Sequence, residues 1–198
     1  MNIVSVDPQA RVLSEDEVLT FLREPVPMRL GMVDGKGWPL VTPVWHVFEN
    51  GLFRVVIGNA SHKANVLRAN PRAYFTVDTG GNNSDTRGVR GRARVRIIDG
   101  VIGLAIDVTR KVLVKYMGTD TGPYADEMLK WARGGGMSVV ELTPLRFGAF
   151  GYRAGRLRRS ARGAGTGPEA SESVDTLIAR QRFARGARHD LLGGGPTP

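Results

Sequence analysis

Apolar and polar residues alternate with a period of two over one long segment of the chain, Gly88 to Ile98. Successive side chains of a β-strand point to opposite faces of its sheet. The segment therefore predicts a strand with one packed face and one basic face. The packed face carries Gly91, Ala93, Val95 and Ile97, and the basic face carries Arg90, Arg92, Arg94 and Arg96.

Shorter apolar runs that are separated by turn residues predict further strands. Met28 to Val33 and Pro39 to Phe48 flank the turn Asp34-Gly35-Lys36-Gly37, and Asn50-Gly51 then leads into Leu52 to Ile57. Because Asp-Gly and Asn-Gly between apolar runs are strong hairpin signals, this part is predicted to be an antiparallel meander. Later runs with strand character are Ala73 to Val77, Met137 to Leu142 and Phe147 to Gly151.

Helical patterns flank these strands. Ser14-Glu15-Asp16-Glu17 is a capping-box start for an amphipathic helix that ends before Pro25. Two longer helices are predicted over Val101 to Tyr116 and over Pro123 to Arg133. The fold class expected from these elements is mainly β with flanking helices.

Composition narrows the class of protein. The chain is 41% hydrophobic and contains no cysteine, so disulfides and thiolate chemistry are excluded. It has no run of eighteen apolar residues and no apolar stretch after a basic N-terminus, so we expect a cytoplasmic protein with no membrane partner. The net charge is +9, and residues 153–198 hold nine arginines against four acidic residues.

A candidate anion site lies between two of the predicted strands. Gly58-Asn59-Ala60 ends the strand Leu52 to Ile57, and the helix-forming segment that follows begins with Ser61, His62 and Lys63. Ser61 is a good N-cap, and the free N–H groups of a first helical turn favour an anion. A lysine in that turn is poorly placed unless an anion is bound, so the segment predicts a phosphate site.

The same residues carry a resemblance to a known family. Trp38 to Trp45, Leu52 to Ile57 and Ser61 to Arg72, with Lys63 eight residues before Pro71, resemble the pyridoxamine 5'-phosphate oxidase-like superfamily of flavin and deazaflavin proteins. The resemblance implies a six- to seven-stranded antiparallel split β-barrel over residues 27–152. Residues 1–26 are then an N-terminal helix and lead-in, and residues 153–198 a basic, Gly/Arg-rich, largely disordered extension.

The resemblance also implies a set of cofactor-binding residues. A basic pair that holds the cofactor phosphate corresponds to His62 and Lys63, with histidine where the family often has arginine. At Ile57 and Gly58 the family usually carries a hydroxyl, which this chain lacks, so that only backbone contacts are expected there. The strand that follows the isoalloxazine ring corresponds to Thr42, Pro43, Val44 and Trp45, and Trp45 is either a ring cover or a core residue.

The family further implies a homodimer with cofactor sites at the subunit interface. The strand with the alternating arginines lies near the dimer seam of such proteins, and we expect Arg87 and Arg90 to meet the cofactor tail or the substrate. A basic face suits the acidic, phosphate-containing tail of coenzyme F420, whereas FMN would need less positive charge. The cofactor is therefore predicted to be coenzyme F420 or FMN.

Other chemistries have little support in the sequence. The three histidines, His46, His62 and His189, are scattered, which argues against a metal centre and against a hydrolase triad. No catalytic acid, base or nucleophile can be assigned, as expected where a cofactor carries the redox chemistry. His46 as an axial haem ligand remains open at this stage.

The sequence thus favours an oxidoreductase that transfers a hydride between F420 or FMN and a small organic substrate. The alternative is a non-enzymatic flavin, deazaflavin or haem binding or sensor protein, or a polyanion-binding protein acting through its basic tail. Nucleic acid is not an expected partner, because Phe183 is the tail's one aromatic residue. Pyridoxamine phosphate oxidase activity itself is not expected, since Phe147 to Arg153 lacks that enzyme's Arg-x-His substrate motif.

Overall fold

The structure is a computed structural model that describes residues 3–5, 10–80 and 86–152. The predicted extension 153–198 and residues 81–85 lie outside the described residues. Within these residues the chain is mainly β, with nine strands and four helices. The mainly β fold class with flanking helices is confirmed.

The elements follow the predicted order closely. The helices are α1 (Glu15–Arg23), α2 (His62–Ala69), α3 (Ile102–Met117) and α4 (Pro123–Arg133). The strands are β1 (Ile3–Ser5), β2 (Met28–Val33), β3 (Pro39–Val44), β4 (Val47–Glu49), β5 (Leu52–Gly58), β6 (Arg72–Asp78), β7 (Arg87–Ile98), β8 (Met137–Pro144) and β9 (Phe147–Gly151).

One sheet contains all the strands and curls into a split barrel. Its order is β3-β2-β6-β7-β8-β5-β4, and β9 pairs with both β1 and β7. All pairings are antiparallel except that of β1 with β9. Because β3 and β4 are separated only by Trp45 and His46, the two ends of the strand order are consecutive in the chain, and the sheet curls back on itself.

The prediction of one strand over Pro39 to Phe48 was therefore wrong in one detail. The chain bends at Trp45 and His46, where the Trp45 ring stacks on Tyr116 of α3 at 4.9 Å between ring centroids. The His46 side chain is fully buried and bonded to the same helix. These contacts with α3 divide the strand into β3, which pairs with β2, and β4, which pairs with β5.

Two apolar layers hold the barrel together. The interior is built around Phe53, Phe75 and Phe147, whose ring centroids lie 4.9 to 6.1 Å apart. Outside the barrel, α3 packs on β5 and β8 through Val108, Val112 and Val139. Burial of these side chains removes a large apolar area from water and is the main stabilising contribution to the fold.

The long strand β7 confirms the alternation that the sequence predicts. Gly91, Ala93 and Val95 are buried, whereas Arg92, Arg94 and Arg96 are exposed. The predicted N-caps also form: the Ser14 hydroxyl accepts a hydrogen bond from Glu17 N at 3.3 Å, while the Glu17 carboxylate accepts one from Ser14 N at 2.8 Å. The Arg11 guanidinium and this cap together lower the pKa of Glu17 to about 2.

Candidate functional site

The loop between β5 and α2 is held in a fixed shape by its own hydrogen bonds. Ser61 has an extended backbone (φ −69°, ψ 152°), and its hydroxyl accepts a hydrogen bond from Ala64 N at 3.3 Å. Asn59 donates from its backbone to Gly136 O at 3.0 Å and from its side chain to Gly135 O at 2.9 Å. The predicted N-cap is therefore present, and the first turn of α2 starts from a braced loop.

Lys63 lies in that first turn without an internal counter-ion. Its side chain is half-buried, and among the described residues it has no hydrogen bond or ion pair. The first turn of α2 contains no acidic residue. Arg68, in the last turn, pairs instead with Asp99 at 2.8 Å. The helix start thus combines unsatisfied N–H groups with a lysine charge, which is the arrangement that attracts a phosphate.

Two further predicted residues border this turn. His62 is exposed, and Gly58 ends β5 immediately before the loop. The neighbouring Ile57 side chain points into the barrel and is 5% exposed, so its contribution to a ligand site is limited to its backbone. The candidate anion site at this loop is therefore a surface of backbone groups and one lysine, with an exposed histidine beside it.

Trp131 of α4 covers Gly58, a contact that no pattern in the sequence predicts. A Cβ at Gly58 would lie 3.0 Å from the indole Cη2 atom, and a side chain at Gly136 would overlap the indole ring. The two glycines make room for an indole that is still 49% exposed. The run Gly134 to Gly136 directly after α4 lets the chain turn tightly around the tryptophan.

The predicted ring-binding strand β3 is at an edge of the sheet. It pairs with β2 alone, so its second edge has no strand partner in the described ranges. The Val44 side chain is buried, Pro43 is exposed, and Thr42 is half-buried with its hydroxyl 3.4 Å from Pro43 O. Backbone N–H and C=O groups along this edge are available to a planar ligand with donors and acceptors on its rim.

Trp45 and His46 belong to one cluster with α3, in which His46 is fully buried and Trp45 is half-buried. Trp45 stacks on Tyr116 and meets the edge of Tyr124 at 6.3 Å. Both ring nitrogens of His46 are engaged, Nδ1 with the Tyr116 hydroxyl at 3.0 Å and Nε2 with Lys115 Nζ at 3.1 Å. His46 is therefore not placed to ligate haem. Of the two interpretations of Trp45, ring cover or core residue, its contacts within this chain match the core residue.

Burial changes the acid–base behaviour of this cluster. Loss of solvent lowers the pKa of His46 well below its usual value, and the charge of Lys115 adds to the effect. Burial lowers the pKa of Lys115 to about 8 and raises that of the Tyr116 hydroxyl to about 12. Lys115 nevertheless has three acceptors, namely His46 Nε2, His46 O and Leu22 O.

The two arginines predicted to meet a cofactor have partners elsewhere. Arg87 donates to both carboxylate oxygens of Glu24, at 2.8 and 3.1 Å, and lies over the Phe21 ring. Arg90 lies over the Phe150 ring at 5.8 Å. Both occupy the first third of the 12-residue strand β7. Asp99, which binds Arg68 of α2, follows the other end of β7, so Arg87 and Arg90 lie at the end of this strand opposite to the one tied to α2.

Other arginines of the same strand differ from this pair. Arg96 of β7 and Arg54 of β5 both form an ion pair with the buried Glu141 carboxylate, at 2.6 and 2.9 Å. Burial alone would raise the pKa of Glu141, but these two guanidiniums hold it below the usual value. Arg92 and Arg94 have no acidic partner in the described part of the chain. The alternating pattern in the sequence could not distinguish these environments.

No three His, Cys, Asp or Glu side chains converge on one point within residues 3–5, 10–80 and 86–152. None of the helices described is long and apolar enough to cross a membrane.

The fold is similar to several solved structures. Rv2991, a conserved hypothetical protein of Mycobacterium tuberculosis, matches with a TM-score of 0.63 and 19% identity, covering 85% of this chain and 99% of its own. A structure described as an F420 reductase matches with a TM-score of 0.51 and 22% identity, over 65% of this chain and 93% of its own. HutZ, the heme storage protein of Vibrio cholerae, matches with a TM-score of 0.56 and 16% identity, over 70% and 96%.

Sequence comparison assigns the family. No curated protein matches the chain. The family model described as pyridoxamine 5'-phosphate oxidase matches residues 14–146, which is more than half of the chain. This range includes the curled sheet from β2 to β8, the braced β5–α2 loop and Lys63. The split-barrel topology and the family match agree, and the chain belongs to the pyridoxamine 5'-phosphate oxidase family.

Proposed function

We propose that the protein is an oxidoreductase that binds coenzyme F420 or FMN and transfers a hydride to or from a small organic substrate. The observation that carries the proposal is Lys63, half-buried and without an ion pair among the described residues, in a first helical turn that has no acidic residue. Similarity to a solved F420 reductase supports the proposal at the level of the fold.

The residues present fit a cofactor that carries a phosphate. The free N–H groups of α2 and the Lys63 ammonium would hold the phosphate, and His62 would add a donor when protonated. Backbone groups along the open edge of β3 would orient the ring. A bound flavin or deazaflavin supplies the hydride chemistry, and the protein's part is to bind, orient and shield it from water.

We propose further that the active species is a homodimer with its cofactor sites at the subunit interface. Arg87 and Arg90 lie at the end of β7 opposite to α2, so a site that includes them and Lys63 needs two copies. The exposed apolar side chains Trp38 (70%) and Val41 (66%) on the β2–β3 hairpin are suited to contact a second copy. Sedimentation velocity should give twice the mass of one chain, and a single-chain mass at micromolar concentration would contradict the dimer.

Parallel fluorescence titrations with FMN and with F420 test the cofactor. Saturable binding of one of them, lost in high salt, is the expected result because a phosphate contact is electrostatic. The reduced form of the bound cofactor is then offered to small organic acceptors, and its reoxidation is followed by absorbance. Absence of binding by both cofactors would contradict the proposal.

A second candidate function is non-enzymatic haem binding, which the similarity in fold to a heme storage protein supports. The burial of His46 argues against that residue as the haem ligand, so a haem-binding form would need another ligand. Titration with haemin, followed in the Soret band, distinguishes this function from the flavin proposal.

Polyanion binding through the tail is tested by deletion of residues 156–198, which should leave cofactor affinity unchanged and abolish heparin binding.

A further inference from the structure

One arginine connects the loop before α2 with the rest of the sheet. Arg68, in the last turn of α2, donates to Asn59 O at 2.8 Å and to the Asn65 side chain at 3.2 Å. Its Nε and Nη2 atoms donate to the two carboxylate oxygens of Asp99, at 3.3 and 2.8 Å. Because helical side chains lean toward the N-terminus of their helix, a residue of the last turn can reach back to the loop from which the helix starts. The guanidinium thus joins the β5–α2 loop, the helix itself and the turn after β7.

Asp99 is in turn fixed to the sheet. It follows β7 directly, and the hydroxyl of Ser138 on β8 donates to its carboxylate. Ser138 is fully buried and pairs with Ile57, the residue of β5 that precedes Gly58. The Arg68 guanidinium and this hydroxyl hold the pKa of Asp99 below its usual value, so the carboxylate is ionised at neutral pH. A buried strand position therefore fixes the direction of the Arg68 side chain.

Asn59 is held from two sides of the loop. Its backbone N–H and its side-chain amide donate to Gly136 O and Gly135 O, and its carbonyl oxygen accepts from Arg68. The bond from Arg68 involves a charged donor, and such bonds are stronger than those between neutral groups. Because Asn59 lies two residues before the Ser61 N-cap, the orientation of its carbonyl affects the direction in which the first turn of α2 presents its N–H groups.

Arg68 and Lys63 are suited to different tasks. The charge of Arg68 is neutralised by Asp99, and its Nε, Nη1 and Nη2 atoms all donate to protein acceptors. Lys63 has no ion pair among the described residues, and its helical turn contains no acidic residue. The lysine is therefore the group that can bind an anion, whereas the arginine is part of the support of the loop.

We propose that Arg68 is a positioning residue for anion binding at the start of α2. It makes no contact with the bound phosphate, but it holds Asn59 O, and with it the β5–α2 loop, in the shape that the phosphate requires. Such preorganisation raises affinity, because the loop need not be ordered at the moment of binding. The inference rests on the proposed function, which places the cofactor phosphate beside Lys63.

Conservative variants of the full-length protein test this role. Arg68→Lys keeps the positive charge but loses the planar fork, and Asp99→Asn removes the charge that fixes the fork. Each should raise the Kd of FMN about tenfold through loss of preorganisation, and leave that of riboflavin, which lacks the phosphate, unchanged. If the parent protein binds F420 instead, F420 and its chromophore without the phosphate tail replace these probes. Arg110→Lys is the matched control, because it alters an exposed arginine that pairs with Asp120 and not with the loop.

Further results separate positioning from a general structural role. The double variant Arg68→Lys, Asp99→Asn should raise the Kd no more than the larger single effect, because both residues act on the same carbonyl. The salt dependence of FMN binding should stay as in the parent protein, since Lys63 still makes the phosphate contact. The free energy of unfolding should also stay close to that of the parent, because Arg68 and Asp99 are 35% and 53% exposed.

An unchanged Kd in both variants would overturn the proposal, and so would additive effects or an equal loss of riboflavin binding. A salt dependence as weak as that of Lys63→Ala would make Arg68 a direct phosphate ligand and also overturn it. Hydrogen–deuterium exchange without ligand gives an independent readout, in which amides of residues 58–63 should exchange faster in Arg68→Lys than in the parent protein. A parent protein that binds neither FMN nor F420 contradicts the proposed function, whereas unchanged exchange contradicts the role of Arg68, so the two failures are distinguishable.

Discussion

At the scale of single residues, Gly91 is a position where the barrel leaves no room for a side chain. A Cβ there would overlap the Arg146 carbonyl oxygen and lie 3.1 Å from the Phe75 ring. The strand β7 passes β6 and the start of β9 at this point, so neither neighbour can move without disturbing a pairing. Glycine is required here for close approach, and its conformational freedom has no part in the requirement.

We predict that Gly91→Ala lowers the free energy of unfolding by about 1–3 kcal/mol, the usual range for overpacking a core. Urea unfolding followed by circular dichroism measures the change. Gly103→Ala is the matched control, since nothing lies within 4 Å of a Cβ at that helical position. That variant should be neutral or stabilising by up to about 1 kcal/mol. Equal effects of the two substitutions would contradict the packing described for β7.

The sequence could predict which residues of β7 face outward but not which of them have partners. Arg96 and Arg94 occupy equivalent places in the alternation, yet only Arg96 faces Glu141 of β8. Arg87 and Arg90 stay predicted residues of the cofactor site, and within one chain they lie beside Glu24 and Phe150. Ion pairing depends on neighbours that are distant along the chain, and periodicity carries no information about them.

At the scale of elements, the bend between β3 and β4 depends on α3. Tyr116 donates from its hydroxyl to Val26 O at 3.0 Å and accepts from His46 Nδ1 at 3.0 Å. One hydroxyl thus joins the helix, the bend and the segment before β2. The sequence predicted α3 and one continuous strand over Pro39 to Phe48, but not this junction, because a lone histidine in a strand pattern gives no sign of complete burial.

We predict that Tyr116→Phe lowers the free energy of unfolding by about 1–3 kcal/mol, because Val26 O and His46 Nδ1 lose their shared partner in a buried place. Thermal and urea unfolding measure the effect. Tyr124→Phe serves as the control, since that side chain is 49% exposed and its hydroxyl has no described partner. A loss in Tyr124→Phe as large as that in Tyr116→Phe would contradict the role of the junction.

The same cluster predicts a dependence of stability on pH. The pKa of His46 in the folded chain is well below the 6.5 of an unperturbed histidine, because burial and Lys115 disfavour its charge. Below pH 6.5 the unfolded chain therefore binds more protons at this residue than the folded chain does. The free energy of unfolding falls as the pH drops below 6.5, by up to about 1.4 kcal/mol per pH unit. Lys115, with a pKa of about 8, stays charged throughout this window.

Urea unfolding between pH 6.5 and about 5 measures this effect before most carboxylates titrate. His46→Gln should flatten the curve over that range, because the glutamine cannot take up a proton. His62→Gln should keep the slope of the parent protein, since His62 is exposed. A slope that is unchanged in His46→Gln would contradict the protonation account.

At the scale of the whole molecule, the family and the barrel were predictable and the distribution of charge over its surface was not. The meander, the capped helices and the spacing of Lys63 to Pro71 are local features, and the structure contains each of them. Other features arise from contacts between distant segments of the chain. They are the closure of the barrel through the bend at His46 and the contact of Trp131 with Gly58. These features required the folded chain.

The central claim is that the start of α2 holds the phosphate of a flavin-type cofactor through Lys63. The most direct test is the Kd of FMN and of F420 for Lys63→Ala, measured by fluorescence titration beside Lys36→Ala, an exposed lysine in the β2–β3 turn. Loss of a charge-assisted contact should weaken binding by about 1.5–3 kcal/mol, or roughly ten- to a hundredfold. Lys36→Ala should bind as the parent protein does. An unchanged Kd in Lys63→Ala would contradict the proposed site.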